Sequence, residues 1–178
     1  MITTKNTMTR RAVFLGFALI AAMTLAVPAE AGGEIYRDAA LIGSMPIGGV
    51  TLNMTLPQAE EHLRATGFTE TDRATPQNGS GAVTFKKGIV HISLGYRGTV
   101  LESIGENSQR LDGSRFDLAA EIAPPRAHFG IADGERDCRS NKRGAVCSVA
   151  DKRQATIVYA LQVRPTLRTA QLVRYPPR

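Results

Sequence analysis

The chain has 178 residues, two cysteines, no tryptophan, and 22 Lys and Arg against 16 Asp and Glu, for a formal charge of +6. That length holds one small domain or two very small ones once any leader is set aside. The basic residues are scattered without a block of five, unlike the clustered patch or stripe of a nucleic-acid binder, so no nucleic-acid partner is expected.

The chain opens with Lys5, Arg10 and Arg11, runs through the apolar stretch "AVFLGFALIAAMTLAV" and reaches "PAEA", with Ala29 and Ala31 in an A-x-A arrangement. A positive flank, an apolar core and a small-residue exit are the parts of a secretory signal peptide, so residues 1–31 read as a leader removed after Ala31. The apolar run is short for a bilayer core of ~30 Å, and no basic stop-transfer flank follows it. The Arg10-Arg11 pair admits the twin-arginine route as well as the general secretory one. A lipoprotein anchor needs a Cys at the processing site, and none stands there. The exported part, 32–178, reads as a single small α+β domain, periplasmic or secreted, with no stable membrane span. Its cations are mostly arginines, and their dispersed positive charge suits an acidic partner or an anionic envelope surface.

"GGEIYRDAALIGSMPIGGV" is rich in Gly and apolar residues without a clear period, and reads as a lead-in with one strand. "TLPQ" starts a helix: Thr55 can cap the free N–H groups of the first turn, and Gln58 completes a capping box. Pro57 is tolerated there because those N–H groups have no helical partners. Leu56, Ala59 and Leu63 give an apolar stripe at 3/4 spacing, and Gly67 supplies a left-handed stop, so the spacing predicts a helix near 56–66.

"TETDRATPQNGSG" reads as a strand edge or loop. Val83 and Phe85 then alternate, "KKG" turns the chain, and Val90, Ile92, Leu94 and Tyr96 share one face, a hairpin signature. "RG" at 97–98 turns it again into "TVLESI". A second pass follows: "RFDLAAEIAPPRAHFG" offers a shorter, Pro-interrupted helix, and "RDCRSNKRGAVCSVADKRQATIVYALQV" another meander, with Ile157, Tyr159, Leu161 and Val163 facing a core. A shift of about 56 positions lays Lys86-Lys87-Gly88 on Lys142-Arg143-Gly144, whereas the helices need an offset near 61, a pattern suggesting a repeat. The expected architecture is a short helix packed on an antiparallel meander, repeated as two tandem α–β units, 48–107 and 112–163.

Cys138 and Cys147 lie close together in the exported part, where an oxidising compartment favours a disulfide. Zinc would want four ligands, and "CRSNKRGAVC" brings no His to either sulfur. The bridge would staple a hairpin tip carrying Arg139, Lys142 and Arg143, the candidate partner-binding residues.

Gly49, Met54, Thr55, Leu63 and Gly67, in "GVTLNMTLPQAEEHLRATGF" before a meander, give the stretch 48–105 a resemblance to the SmpA/OmlA and β-lactamase-inhibitor-protein-like envelope proteins, with a weaker echo at 112–163. Members often carry a glycine and Met-Thr/Ser before the helix and Leu-x-x-x-Gly near its end. The resemblance implies helical segments packed on an antiparallel sheet. It also implies, from the inhibitor members, a partner protein met by an exposed sheet and loops. The outer-membrane-assembly members are lipidated at a Cys that this chain lacks, and no contact residue carries over.

Glu60-Glu61-His62 does not make a metal or catalytic site, because consecutive helical residues point about 100° apart and H-E-x-x-H spacing is absent. Acidic residues early in a helix complement its dipole instead. His91 falls on the face opposite Val90, Ile92 and Leu94, and His128 stands isolated. No G-x-S-x-G, P-loop or G-x-G-x-x-G occurs, and paired cysteines are not nucleophiles. No catalytic residue, cofactor or metal is expected. The function expected is therefore a non-enzymatic interaction or envelope-associated module whose partner is an acidic envelope protein. The alternative is a small periplasmic hydrolase or ligand-binding protein whose site assembles from distant residues around His91 or His128.

If the leader is removed as read, intact-mass measurement of protein from the envelope fraction finds Gly32 as the N-terminus. A membrane-pelleted species retaining residues 1–31 contradicts it.

Overall fold

Asp38 begins the first regular element of the computed structural model, which describes residues 37–74, 78–132, 135, 137–151 and 156–175. The leader read over residues 1–31 lies outside the described residues. Asp38 accepts from the Ala40 N–H at 2.6 Å and caps the single turn α1 (Ala39–Gly43). Residues 37–50 of the lead-in are thus a helical turn followed by a loop, without the strand expected of it; residues 32–36 lie outside the described residues. Without a period to read, the aspartate cap was the only local signal.

The loop carries Met45, Ile47, Val50 and Leu52 into the core and ends at α2 (Leu56–Ala65). Thr55 accepts from Gln58 N–H while Gln58 Oε1 accepts from Thr55 N–H at 2.9 Å, the reciprocal capping box. Ala59 and Leu63 are fully buried and Leu56 packs at the edge of the same core. Gly67 takes the left-handed conformation (φ +87°), and the Phe68 N–H reaches back to Leu63 O at 2.9 Å, which ends the helix.

Four strands follow as a meander: β1 (Thr69–Arg73), β2 (Ser80–Lys87), β3 (Val90–Arg97) and β4 (Val100–Gln109). Then come α3 (Leu118–Phe129) and β5 (Cys138–Asn141), β6 (Gly144–Ala150), β7 (Ile157–Val163) and β8 (Leu167–Arg174). All eight strands form one antiparallel sheet in the order β1-β2-β3-β4-β8-β7-β6-β5. The α+β class is as read: helices packed on one antiparallel sheet.

Two details of the second half differ from the sequence reading. α3 has 12 residues against 10 for α2, and it runs unbroken through Pro124 and Pro125. Asp117 caps its first turn, accepting from Ala119 and Ala120 N–H, and Gly130 (φ +61°) closes it. Ile122, Pro125 and Phe129 are buried along one side, and this packing offsets the backbone hydrogen bonds that two prolines remove. The second difference is the repeat offset. The order is symmetric about the β4–β8 pair, so β3 corresponds to β7 and β4 to β8; Val90 to Ile157 and Val100 to Leu167 are each 67 positions apart. The shift of 56 superposes the β2–β3 turn on the β5–β6 turn, which occupy different places in the sheet. The units also reach further than expected, to Gln109 and Arg174.

Residues pointing to one face form the core: Val83 and Phe85, Ile92 and Leu94, Leu101 and Ile104, Ala170 and Leu172, Tyr159 and Leu161, Cys147 and Val149. Val90 is only half-buried. At one side, Glu60 and Glu70 share Arg64 and Arg73 in a four-residue clasp with N–O distances of 2.7 to 3.1 Å. Glu60 thus ties α2 to β1, a role more specific than complementing the helix dipole. His62 lies against Gly49, where its imidazole occupies the place a Cβ would take.

Leu63→Ala therefore costs about 2–5 kcal/mol in chemical denaturation, the range for a buried large-to-small change, and His62→Ala costs much less. The Arg73 hydrogen bond, seconded by Arg64, holds the Glu70 carboxyl down to about 2 from an ordinary 4.5. A depressed carboxylate stabilises above its unfolded value, and that contribution drains as pH falls from 4.5 to about 2. Glu70→Gln flattens this part of the stability–pH curve, modestly because the side chain is partly exposed; an unchanged curve contradicts the clasp.

Candidate functional site

Strand alternation sends every second residue of the sheet away from the core, and no described helix or loop packs on that side. Register fixes what lies there. One row across six strands reads Thr84, Ser93, Gly105, Gln171, Ala160 and Ser148. The next reads Ala82, Gly95, Ser103, Val173, Val158 and Ala150. A third runs from Lys86 and His91 through Asn107, Thr169, Gln162 and Val146 to Arg139.

The floor of the open face is thus uncharged and mostly small on the β2–β4 side, with the longer Gln171 directly beside Gly105, and the charges sit around it. Thr84 Oγ1 and Ser93 Oγ are 3.2 Å apart, pairing two of its hydroxyls. Arg139 closes one end of the third row, Lys86 stands one strand in from the other, opposite Thr69 of β1, and Arg97, at the end of β3, pairs with Glu102 at 2.9 Å. A bulge puts both Glu102 and Ser103 on this face, and Ser103 Oγ fills the space beside Gly95.

Gly105 is the residue the fold does not account for. It stands in the middle of β4, paired on both sides, with Ser93 opposite on β3 and Gln171 on β8. Its φ is not positive, and a Cβ there meets nothing nearer than Ser93 O at 3.9 Å. Glycine weakens a strand interior through backbone entropy, and in such a place it often marks the close approach of another molecule's backbone or ligand.

On the covered side of the same strands lies a second polar group. Arg168 of β8 bonds Glu106 of β4 and, through Nε at 2.7 Å, Glu121 of α3, while Ser108 Oγ donates to Glu106 at 3.0 Å. Burial opposes the arginine's charge, but the two glutamates outweigh it and its pKa is raised. Burial pushes the neighbouring Tyr159 phenol well above its usual value. Every member has a partner, so this cluster is built to stay shut.

Cys138 and Cys147, direct partners in the β5–β6 ladder, are bonded and buried. Arg139, Lys142 and Arg143 are exposed and make no ion pair among the described residues. Arg139 points to the open-face side, whereas Lys142 and Arg143 form the turn, which Asn141 Oδ1 shapes by accepting from Arg143 N–H at 2.8 Å. The histidines are not brought together. His62 lies against Gly49 and His91 is exposed on the open face between Lys86 and Asn107. His128 is not isolated: its Nε2 lies 3.0 Å from Leu41 O and 3.3 Å from Ser44 Oγ, tying α3 to α1. Among the described residues no group of three His, Cys, Asp or Glu could hold a metal ion.

Sequence reasoning missed Gly105 and the whole of β8. The bulge at Glu102–Ser103 breaks the period of β4, hiding which residues share its face. The Ala170–Leu172 alternation after "RPT" was the available signal for β8. No helix among the described residues is long and apolar enough to cross a membrane. Comparison with family models, curated proteins and solved structures returns no match to this chain.

Proposed function

We propose that the chain is an exported periplasmic protein that works as a non-enzymatic interaction module, docking an acidic envelope protein on the open face of its sheet. The observation that carries this reading is Gly105, a glycine at the centre of the sheet that the fold itself does not require. With Gly95, Ser93, Ser103 and Ala160 around it, the floor lets a partner's bulky side chains or backbone come close to the strands. A desolvated centre inside a charged rim is the arrangement in which hot-spot residues bind.

The sign of the partner follows from the rim and the nearby turn. Lys86, Arg139, Lys142 and Arg143 are exposed and unpaired among the described residues, against Asp72 and the already paired Glu102. The disulfide supports an oxidising compartment. It also keeps the basic hairpin ordered in advance, lowering the entropy lost on meeting a partner. The resemblance to the inhibitor-like envelope proteins, which use a sheet and loops against another protein, agrees with the same assignment.

Gly105 gives the test its leverage because the fold has room for a side chain there. Gly105→Ser leaves stability unchanged or raises it by about 0.5–1 kcal/mol, whereas Gly105→Arg keeps the fold and removes an acidic protein that the tagged wild type retains from envelope extract. Retention of the same protein by Gly105→Arg excludes the open face. Lys142→Glu with Arg143→Glu slows association with that protein and flattens its salt dependence; identical rates and slopes mean that the turn is only stapled.

A further inference from the structure

Four connections lie at one end of the sheet: the β2–β3 turn at Gly88 and Ile89, the segment from Arg110 to Phe116, the β7–β8 turn at Arg164 to Thr166, and the β5–β6 turn at Lys142 and Arg143. The Arg110 N–H bonds Thr166 O at 2.9 Å and holds the second against the third. Two of them carry bare apolar tips, Leu111 at 83% exposure and Ile89 at 45%.

Single exposed apolar residues are ordinary on protein surfaces, but Leu111 is held outward by a built turn. The Arg110 guanidinium stacks on the Phe116 ring at 4.5 Å and donates to Ser114 Oγ at 3.1 Å. Asp112 accepts from Ser114 N–H at 3.0 Å, and Gly113 supplies the positive φ of +78° that closes the loop.

Cations outnumber carboxylates at this end: Arg110, Arg115, Lys142, Arg143 and Arg164 stand against Asp112 and Asp117. Exposed Arg115 and Arg164 make no ion pair among the described residues. The two carboxylates accept local hydrogen bonds, Asp112 from Ser114 and Asp117 from the first turn of α3, and the Ser114 bonds hold the Asp112 carboxyl below its ordinary range, so the net charge here is positive by number and not by neutralisation. At the opposite end Arg97 is neutralised by Glu102.

We infer that this end of the sheet docks peripherally on a bilayer carrying anionic headgroups, with Leu111 and Ile89 entering the headgroup–acyl boundary and Arg115 and Arg164 against the phosphates. Convex apolar tips need matching pockets in a protein partner, whereas a bilayer interface yields to them. Apolar insertion together with nearby cations is the pairing of forces that holds peripheral proteins at anionic membranes. An acidic protein meeting the same end is the competing occupant.

Co-sedimentation of the exported protein with vesicles separates the two. The protein pellets with phosphatidylglycerol-containing vesicles and stays in solution with phosphatidylcholine ones. Leu111→Ser weakens binding on the order of tenfold, and Arg115→Glu or Arg164→Glu by about fivefold or more. All three unfold at the wild-type temperature, since they alter exposed side chains. Equal binding to both vesicle types, binding that Leu111→Ser leaves intact, or no binding to either overturns the inference. Gly105→Arg, which alters the open face and not this end, retains vesicle binding while losing its protein partner; Lys142 and Arg143 lie at this end and are left unchanged in the vesicle test.

Discussion

The pairing of β4 with β8 is the constraint on which the rest of the structure depends. Ser103 to Gln109 run antiparallel to Val173 to Leu167, and this ladder alone fuses two four-stranded meanders into one eight-stranded sheet. Ile104 opposite Leu172 continues the core across the seam. Beside them Arg168 and Glu106 meet on the same covered side, where Glu121 of α3 joins them. A slip of one residue would send Ile104 or Leu172 to solvent and carry Arg168 or Glu106 to the open face. A buried ion cluster adds little net stability, since desolvation consumes most of its attraction. Here it penalises the wrong register, and through Glu121 it links that register to the placement of α3.

The seam also decides what is left bare. With the core sides of both halves aligned, α1, α2, α3 and the 44–55 loop gather over one face and leave the other uncovered. The mostly small floor around Gly105 is therefore a consequence of the same register that buries Ile104, because neighbouring residues of one strand face opposite ways.

The sequence made legible whatever rests on local physics. The capping box at Thr55 and Gln58, the Leu56–Ala59–Leu63 stripe, the left-handed Gly67, the turns at Gly88 and Gly98, and the Ile157–Val163 alternation all stand as their spacing predicts. The failures have a common cause: long-range packing overruled local cues. Pro124 and Pro125 argue for a broken helix, yet Ile122 and Phe129 anchor α3 on both sides of them. β8 begins with Leu167, Arg168 and Thr169, and its polar Arg168 is buried only because Glu106 and Glu121, 62 and 47 positions away, receive it. The open face was unreadable for a related reason. Its rows are assembled from six strands, and no single stretch of chain displays them.

The edges of the sheet bear on how a partner can be met. An unprotected edge strand invites addition of a further strand, but both edges here are blunted. β1 is irregular between Glu70 and Asp72 and carries the charges of Glu70, Asp72 and Arg73, two of them locked in the clasp with α2. β5 is four residues long, and the disulfide ties it to β6. Strand addition at either edge would have to displace these features. A partner is therefore left with the face, where the backbone is already fully paired and only side chains can read it. In the proposed docking the small residues around Gly105 would receive another protein's protrusions and specificity would fall to the charged rim, where Lys86 and Arg139 stand on opposite sides of the sheet in one row.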